Sequence, residues 1–357
     1  MIPDKDTGYF PQLDALRAIA VFFVMIEHWV PGTYWFKIFP YGMAGVTLFF
    51  VLSGFLITRI LLRSRIKSES LNQSKFHSLK QFYIRRTLRI FPIYYITIFI
   101  LLIFNTNNIR QIFFWFLTYT SNIYFYLIQN WAGSLSHLWT LAVEEQFYII
   151  WPFIMLFVPK RFLFKTIVII ISTGPVFRTV IFLFSNGSPA ASDFIHILTP
   201  SCMDSFGMGA LLAYALIYNL KIIDFLKSKL SLISIGCIIV IIVLLFTEEN
   251  ILSVLLFRFC VSVISLFIIS KALTGFKGTL RYVFDNKALI YFGKISYGLY
   301  LYHKFIPSLL SIFELPVPEN MFLKFISYSL MLIAIASVSW YLIEKPVNGL
   351  KKYFSYN

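Results

Sequence analysis

Long apolar stretches recur along the whole chain and are separated by short polar segments. Eleven can be read from the sequence, at about 12–30, 42–62, 88–104, 111–128, 138–158, 165–184, 203–219, 231–247, 251–270, 288–313 and 322–343. A helix needs about 20 mostly apolar residues to cross a bilayer. The stretches lack the alternation of apolar and polar residues that the strands of a membrane barrel require. The pattern therefore predicts an all-α protein, a polytopic bundle of transmembrane helices.

Composition supports this prediction. Hydrophobic residues make up 59% of the 357 residues and charged residues 13%, against about 25% charged residues in soluble domains. A soluble domain, a disordered chain and a coiled coil are excluded, because too few ionic side chains are present to cover a water-facing surface. The three cysteines, Cys202, Cys237 and Cys260, have no paired spacing, so neither a disulfide framework nor a metal site is expected.

Positive charge sets the expected orientation of the helices. The net charge is +15, but the basic residues collect between the apolar stretches, which is typical of cytoplasmic loops rather than of a nucleic-acid-binding surface. Segment 59–89 holds nine Lys and Arg residues and is assigned to the cytoplasm. If all eleven stretches crossed, thirteen later Lys and Arg residues would lie outside. The same thirteen residues lie in the cytoplasm if 111–128 is a re-entrant or interfacial segment. We therefore predict ten spans with both termini cytoplasmic.

The chain shows no internal repeat and no flexible linker. We therefore expect residues 1–357 to form a single transmembrane domain without an additional soluble domain. Its first apolar stretch lacks a cleavage site and is expected to stay as a helix. The predicted location is the inner (cytoplasmic) membrane, in contact with the lipid bilayer on all spans.

Ionisable residues inside a span cost about 2.5–3.5 kcal/mol each, so those of the first span are candidates for function. Arg17 and His28 lie about 16 Å apart along the helix axis, with Arg17 nearer the cytoplasm. The helix would present a cation on one side and a proton-transfer group toward the other. An alternative stays open: Asp14 and Arg17 pair to settle the helix start, and His28 is an interfacial histidine bonded to a carbonyl.

Glu144 and Glu145 form a second cluster, in a span that runs inward, so Glu144 is expected at the depth of His28. A carboxylate beside a histidine would fix the tautomer of the ring and stabilise the imidazolium. Neighbouring helical residues point about 100° apart, so one acid would face His28 and the other would need a separate partner. A structural pair with a basic residue of the bundle is the alternative, and Arg178 and Arg258 are available.

Arg86 and Arg89 lie one turn apart at the end of the longest basic segment. They are predicted to share a helix face at the cytoplasmic surface, where guanidinium groups bind phosphate with two hydrogen bonds. Anchoring to anionic lipid explains the cluster equally well.

His303 could face the same cavity as His28 or be a packing histidine. No metal cluster can be assembled from the histidines, and the glycines at 42–45, 54 and 207–210 are expected to permit close helix packing.

Six segments in order resemble one known family. They are LDALRAIAVFFVMIEHW (13–29), FFVLSGFLIT (49–58), YIRRTLRIFPIYY (83–95), LWTLAVEEQFYIIWP (138–152), SYGLYLYHKF (296–305) and WYLIEKPVN (340–348). Each is weak alone, but together they cover nearly the full length. The chain thus resembles the acyltransferase-3 membrane proteins, which include O-antigen and exopolysaccharide O-acetyltransferases acting on lipopolysaccharide and other surface polysaccharides.

The resemblance implies roles for particular residues. Arg17 and His28 would be essential, and Arg86 and Arg89 would form the cytoplasmic motif that meets the acyl-CoA donor. Glu144, rather than Glu145, would be the acid of the E-x-Q-F-Y motif. Supporting residues are expected to be Asp14, Ser53, Glu145 and His303. Some members carry an additional esterase-like SGNH domain, and this chain, which stops at Asn357, resembles the stand-alone members.

The expected function is transfer of an acyl group, expected to be acetyl, from cytoplasmic acyl-CoA to a hydroxyl of an extracytoplasmic glycan or other surface acceptor. No permanently bound cofactor is expected, since acyl-CoA is a substrate. His28, supported by Glu144, would act as general base or carry the acyl group transiently, and Arg17 would hold or orient the donor. The alternatives are a transporter or flippase for a lipid-linked glycan or acyl group, which predicts discontinuous helices and repeats, and a structural subunit of a polysaccharide synthase.

Overall fold

The computed structural model describes residues 9–30, 38–185, 194–218, 220–247 and 250–356, and the regular elements in these ranges are all helical. The α-helices are α1 (Pro11–Trp29), α2 (Tyr41–Ser70), α3 (Lys75–Ile103), α4 (Ile109–Leu117), α5 (Ser121–Ile128), α6 (Trp139–Phe157), α7 (Lys160–Phe184), α8 (Met203–Tyr218), α9 (Leu220–Leu245), α10 (Ile251–Thr274), α11 (Thr279–Phe284), α12 (Lys287–Lys294), α13 (Ser296–Tyr302), α14 (Ile306–Ile312), α15 (Met321–Ser339) and α16 (Lys345–Gly349). Short 3-10 helices cover Thr106–Asn108, Gly133–Leu138, Thr199–Cys202, His303–Phe305 and Leu350–Tyr353, and a π-helical turn covers Trp340–Glu344.

Eight helical segments in the described ranges are long and apolar enough to cross a membrane. They are Tyr41–Ser70, Lys75–Ile103, Gly133–Phe157, Lys160–Phe184, Thr199–Tyr218, Ser228–Leu245, Ile251–Thr274 and Met321–Tyr353. They confirm the all-α class and match eight of the ten predicted spans. Of the other two, α1 is long enough, with 19 residues, but carries Asp14, Arg17 and Glu27. The count of ten and the cytoplasmic placement of both ends stay predictions.

The segment at 111–128 does not form one spanning helix. It is divided between α4, with nine residues, and α5, with eight, and Tyr119 between them has a positive φ of 53°. Helices of this length are about 13 Å long, much shorter than the hydrocarbon core of a bilayer. The structure thus agrees with the prediction that this apolar stretch differs from the true spans.

The stretch at 288–313 was expected to be a single span, and its helix is interrupted rather than continuous. The chain there forms α12, α13, a 3-10 turn at His303–Phe305 and α14, none longer than eight residues. A close contact lies beside the break between α12 and α13. A Cβ atom at Gly293 would lie 1.9 Å from the backbone oxygen of Asp14, so the two backbones are in contact. Pro307, at the start of α14, suits the first turn of a new helix.

Glycines bring α2 against its neighbours at the centre of the bundle. A Cβ atom on Gly54 would lie 2.1 Å from the backbone oxygen of Phe206, and one on Gly209 would lie 2.0 Å from that of Val51. Gly45 is equally close to α1, 2.4 Å from the oxygen of Ala20. The prediction that these glycines permit close packing is confirmed. The result is a tight core of α1, α2 and α8, beside which the candidate site is built.

Candidate active site

Three cavities adjoin one another inside the bundle. The first, of about 190 Å³, lies beside Tyr9 and Phe10 at the start of α1. The second, of about 80 Å³, follows at mid-helix, and the third, of about 470 Å³, reaches His28 near the end of α1. The first and second share Arg17, Ser53, Arg86, Arg89 and Tyr148, and the second and third share Val46 and Tyr300. The shared walls make a row of spaces that follows α1 from one end to the other.

Arg86 joins two carboxylates at the second cavity. Its Nη2 lies 3.7 Å from Oε2 of Glu144 and its Nε lies 3.6 Å from Oε1 of Glu145. The guanidinium also stacks on the ring of Tyr148, with Cζ 3.5 Å from the ring centroid. Ser53 donates a hydrogen bond of 2.8 Å to Oε1 of Glu144. The side chain of Arg86 is only 12% exposed, so the carboxylates compensate a charge that is otherwise costly to bury.

Arg17 and Arg89 face the first two cavities from α1 and α3. Arg17 donates to Oδ1 of Asp14 at 2.9 Å, which is the i, i+3 pair that the sequence left open. Arg89 is exposed, and no acidic side chain among the described residues lies within salt-bridge distance of it. Of the three arginines at the first two cavities, Arg89 is therefore the one without an acidic partner among the described residues.

His28 and His303 share a hydrogen bond that fixes their tautomers. Nδ1 of His303 lies 2.6 Å from the backbone oxygen of Tyr300, and because a carbonyl only accepts, this nitrogen carries the hydrogen. In the neutral ring Nε2 of His303 then accepts, and Nδ1 of His28, 3.0 Å away, donates to it. This assignment follows from the hydrogen-bond network. It leaves Nε2 of His28 with a free lone pair, in an exposed residue that lines the third cavity.

The expected contact between His28 and Glu144 is wrong. Glu144 bonds to Ser53 and Arg86 at the second cavity, and the partner of His28 is His303. Arg86 is also not at a surface, because α3 begins at Lys75 and places Arg86 about three turns inside the helix. Both acids thus form ion pairs with Arg86. They do not contact His28, and their basic partner is not Arg178 or Arg258. The expectation that Glu145 needs a separate partner is also wrong, because it shares Arg86 with Glu144.

The match to known proteins extends over almost the whole chain. Residues 10–344 match the family described as an acyltransferase domain. The chain belongs to the acyltransferase-3 family. The cavities and their polar side chains lie within this acyltransferase domain, and its eight span-length helices make it an integral membrane protein.

Curated relatives of this acyltransferase domain are found in Gram-positive bacteria. It is 31% identical over 382 residues to the peptidoglycan O-acetyltransferase OatA of Listeria monocytogenes, covering 97% of this chain and 57% of that protein. It is 27% identical over 371 residues to the O-acetyltransferase OatA of Staphylococcus aureus, covering 95% of this chain and 57% of that protein. The chain therefore spans less than two thirds of the length of these relatives. No solved structure matches it.

Several residues of the site were not singled out from the sequence. Tyr148 lies four residues after Glu144, on the same helix face, so its spacing was an available signal. Tyr300 and Lys304 line the cavities from the segment 296–305, in which the sequence singled out only His303, and Arg258 was offered only as a pairing partner for the two acids. The structure also shows no group of three or more metal-ligating side chains in its described ranges.

Proposed function

We propose that this acyltransferase moves an acetyl group from acetyl-CoA, bound at the arginine end of the row of cavities, to a hydroxyl of an acceptor glycan bound beside His28. The observation that carries the proposal is the row itself. It has guanidinium groups at one end, an imidazole with a free nitrogen at the other, and shared walls between them. The similarity to the peptidoglycan O-acetyltransferase of Listeria supports a cell-wall glycan, peptidoglycan, as the acceptor.

The donor end is the first cavity and the mouth of the second. Phosphate groups of acetyl-CoA would contact Arg89, which lacks a carboxylate partner among the described residues, with Arg17 beside it. Arg86 contributes less to donor binding, since Glu144 and Glu145 already compensate its charge. We propose instead that Arg86 and the two acids hold α3 and α6 in place around the narrow second cavity, through which the thioester reaches toward His28.

The acceptor end is the third cavity. The oxygen of the acceptor hydroxyl attacks the carbonyl carbon of the thioester while Nε2 of His28 takes the hydroxyl proton. The C–S bond then breaks, and CoA leaves as its thiolate. The imidazolium keeps its hydrogen bond from Nδ1 to His303. A second route has His28 carry the acetyl group on Nε2 before passing it to the hydroxyl. In either route His303 supplies what the carboxylate was expected to supply, a fixed tautomer.

One feature favours the alternative of a transporter. The broken segment from α12 to α14 is a discontinuous helix beside the third cavity, as transporter sites have. Binding of acetyl-CoA to the purified protein separates the two functions, because a flippase for a lipid-linked glycan has no need of this nucleotide thioester.

Arg89→Gln is expected to weaken acetyl-CoA binding about tenfold, because one charge-assisted contact to phosphate is lost. Lys80→Gln removes an exposed cation from the same helix outside these cavities and should leave binding unchanged. Titration calorimetry of the purified protein in lipid nanodiscs gives both affinities. Failure of the unaltered protein to bind acetyl-CoA would refute the proposed function, and equal affinities in the two variants would remove Arg89 from the donor site.

A further inference from the structure

The third cavity carries more positive charge than is needed for acetyl transfer to a neutral hydroxyl. Arg258 and Lys304 both line it. Within the described ranges the acidic residue on its wall is Glu27, whose Oε2 accepts a hydrogen bond of 3.3 Å from the backbone of Gly42. Neither cation lies within salt-bridge distance of an acid among the described residues. The wall beside His28 therefore has an excess of positive charge.

Arg258 is deeply buried but incompletely bonded. It is 2% exposed, and its Nη1 contacts the sulfur of Cys202 at 2.6 Å. Its Nε has no hydrogen-bond partner in the described part of the chain. A buried guanidinium without an anion costs free energy, so the missing partner of Arg258 calls for an explanation. Arg258 thus has the properties of a residue that receives an anion from the cavity.

Arg178 provides a comparison within the same protein. It is fully buried near Arg258, and its guanidinium donates to three backbone carbonyl groups and, at 2.8 Å, to the carboxylate of Asp204. Arg178 thus has a carboxylate partner and several carbonyl acceptors. Arg258 lines the cavity and has no carboxylate partner among the described residues.

Two further groups on the same wall have unused hydrogen-bonding capacity. Nζ of Lys304 donates to Oγ of Ser136 at 2.6 Å, which uses one of the three ammonium hydrogens. Nδ1 of His196 is buried and has no partner among the described residues. Both line the third cavity with Arg258 and His28, so one bound molecule could contact all of them.

We propose that the third cavity selects an acidic sugar. Its carboxylate or phosphate group lies on Arg258 and Lys304, and a hydroxyl of the same residue then reaches Nε2 of His28. The anion completes the bonding of Arg258, so a neutral sugar of the same shape leaves that charge uncompensated and binds less well. This inference rests on the proposed function, since it names the class of acceptor for the same site.

The test compares three sugars of equal ring structure on the purified protein in nanodiscs: methyl glucoside, methyl glucuronide and methyl glucoside 6-phosphate. At least one anionic sugar is expected to bind about tenfold to a hundredfold more tightly than the neutral glucoside, and the tighter of the two identifies the anion. Arg258→Gln should abolish the preference, and Arg258→Lys should keep part of it. Acetyl-CoA affinity serves as the folding control and should not change in either variant.

Equal or undetectable binding of all three sugars would overturn the inference, as would a preference that survives in Arg258→Gln. Loss of acetyl-CoA binding in Arg258→Gln would mean that the residue is structural, which also overturns it. The proposed function fails separately. A protein that prefers the anionic sugar but transfers no acetyl group to any glycan retains the anion site and is not an acetyltransferase.

Discussion

His28→Ala is expected to lower acetyl transfer about a thousandfold or more while the protein inserts and folds normally. His28, whose Nε2 has a free lone pair, lines the largest of the three cavities, and general-base catalysis alone contributes about 10²–10⁴-fold to a rate. The helix should tolerate the change, because His28 is exposed and the side-chain group to which its ring bonds is His303. The measurement is the acetate that mild base releases from the cell walls of cells producing each variant.

The matched control is His77→Ala. His77 is an exposed histidine at the start of α3 and lines none of the three cavities, so its loss should leave acetylation unchanged. Membrane fractions establish that both variants reach the membrane in equal amounts. Acetylation by His28→Ala at the level of His77→Ala would remove His28 from the chemistry.

His303→Phe is expected to lower kcat about a hundredfold or more without changing KM for acetyl-CoA. Phenylalanine fills the space of the buried ring but cannot accept the hydrogen bond from Nδ1 of His28. The imidazole of His28 can then turn or change tautomer, and loss of a group that fixes a catalytic tautomer costs up to about 10⁴-fold in rate. Initial rates with reconstituted protein, at varied acetyl-CoA concentration, give both constants.

His303→Gln distinguishes positioning from packing. The side-chain oxygen of glutamine can accept from His28 and its amide group can donate to the backbone oxygen of Tyr300, as His303 does. Recovery of part of kcat in His303→Gln supports a positioning role. Equal kcat in the Phe and Gln variants, or a rise in KM for acetyl-CoA in both, would show that His303 contributes only to packing.

The helices were largely predictable from the sequence, because lipid requires long apolar segments with satisfied backbones. The stretches at 42–62 and 251–270 correspond to α2 and α10. The start of α3 was not predictable from apolarity, because Ser74 caps a helix that runs through a basic segment before the apolar part begins. The close contact of Gly293 is with a helix almost 280 positions earlier, which no local pattern encodes.

The members of the site were easier to predict than their contacts. Charged residues inside spans are rare, which is why Arg17, His28 and Glu144 could be singled out. Helical periodicity gives the face on which a residue lies, but not the rotation of that face relative to neighbouring helices. Glu144 was therefore assigned to His28, although α6 turns it toward Arg86 on α3. The actual partner, His303, was only one of several candidate histidines.

We propose that one passage joins a donor site and an acceptor site on opposite sides of the bilayer. This proposal is tested most directly in sealed proteoliposomes that hold labelled acetyl-CoA inside and soluble peptidoglycan fragments outside. We predict that label appears on the external glycan while the acetyl-CoA stays enclosed, and that His28→Ala stops this transfer. Label that reaches the glycan only when both reactants are on the same side, or that reaches it equally with His28→Ala, would contradict the claim.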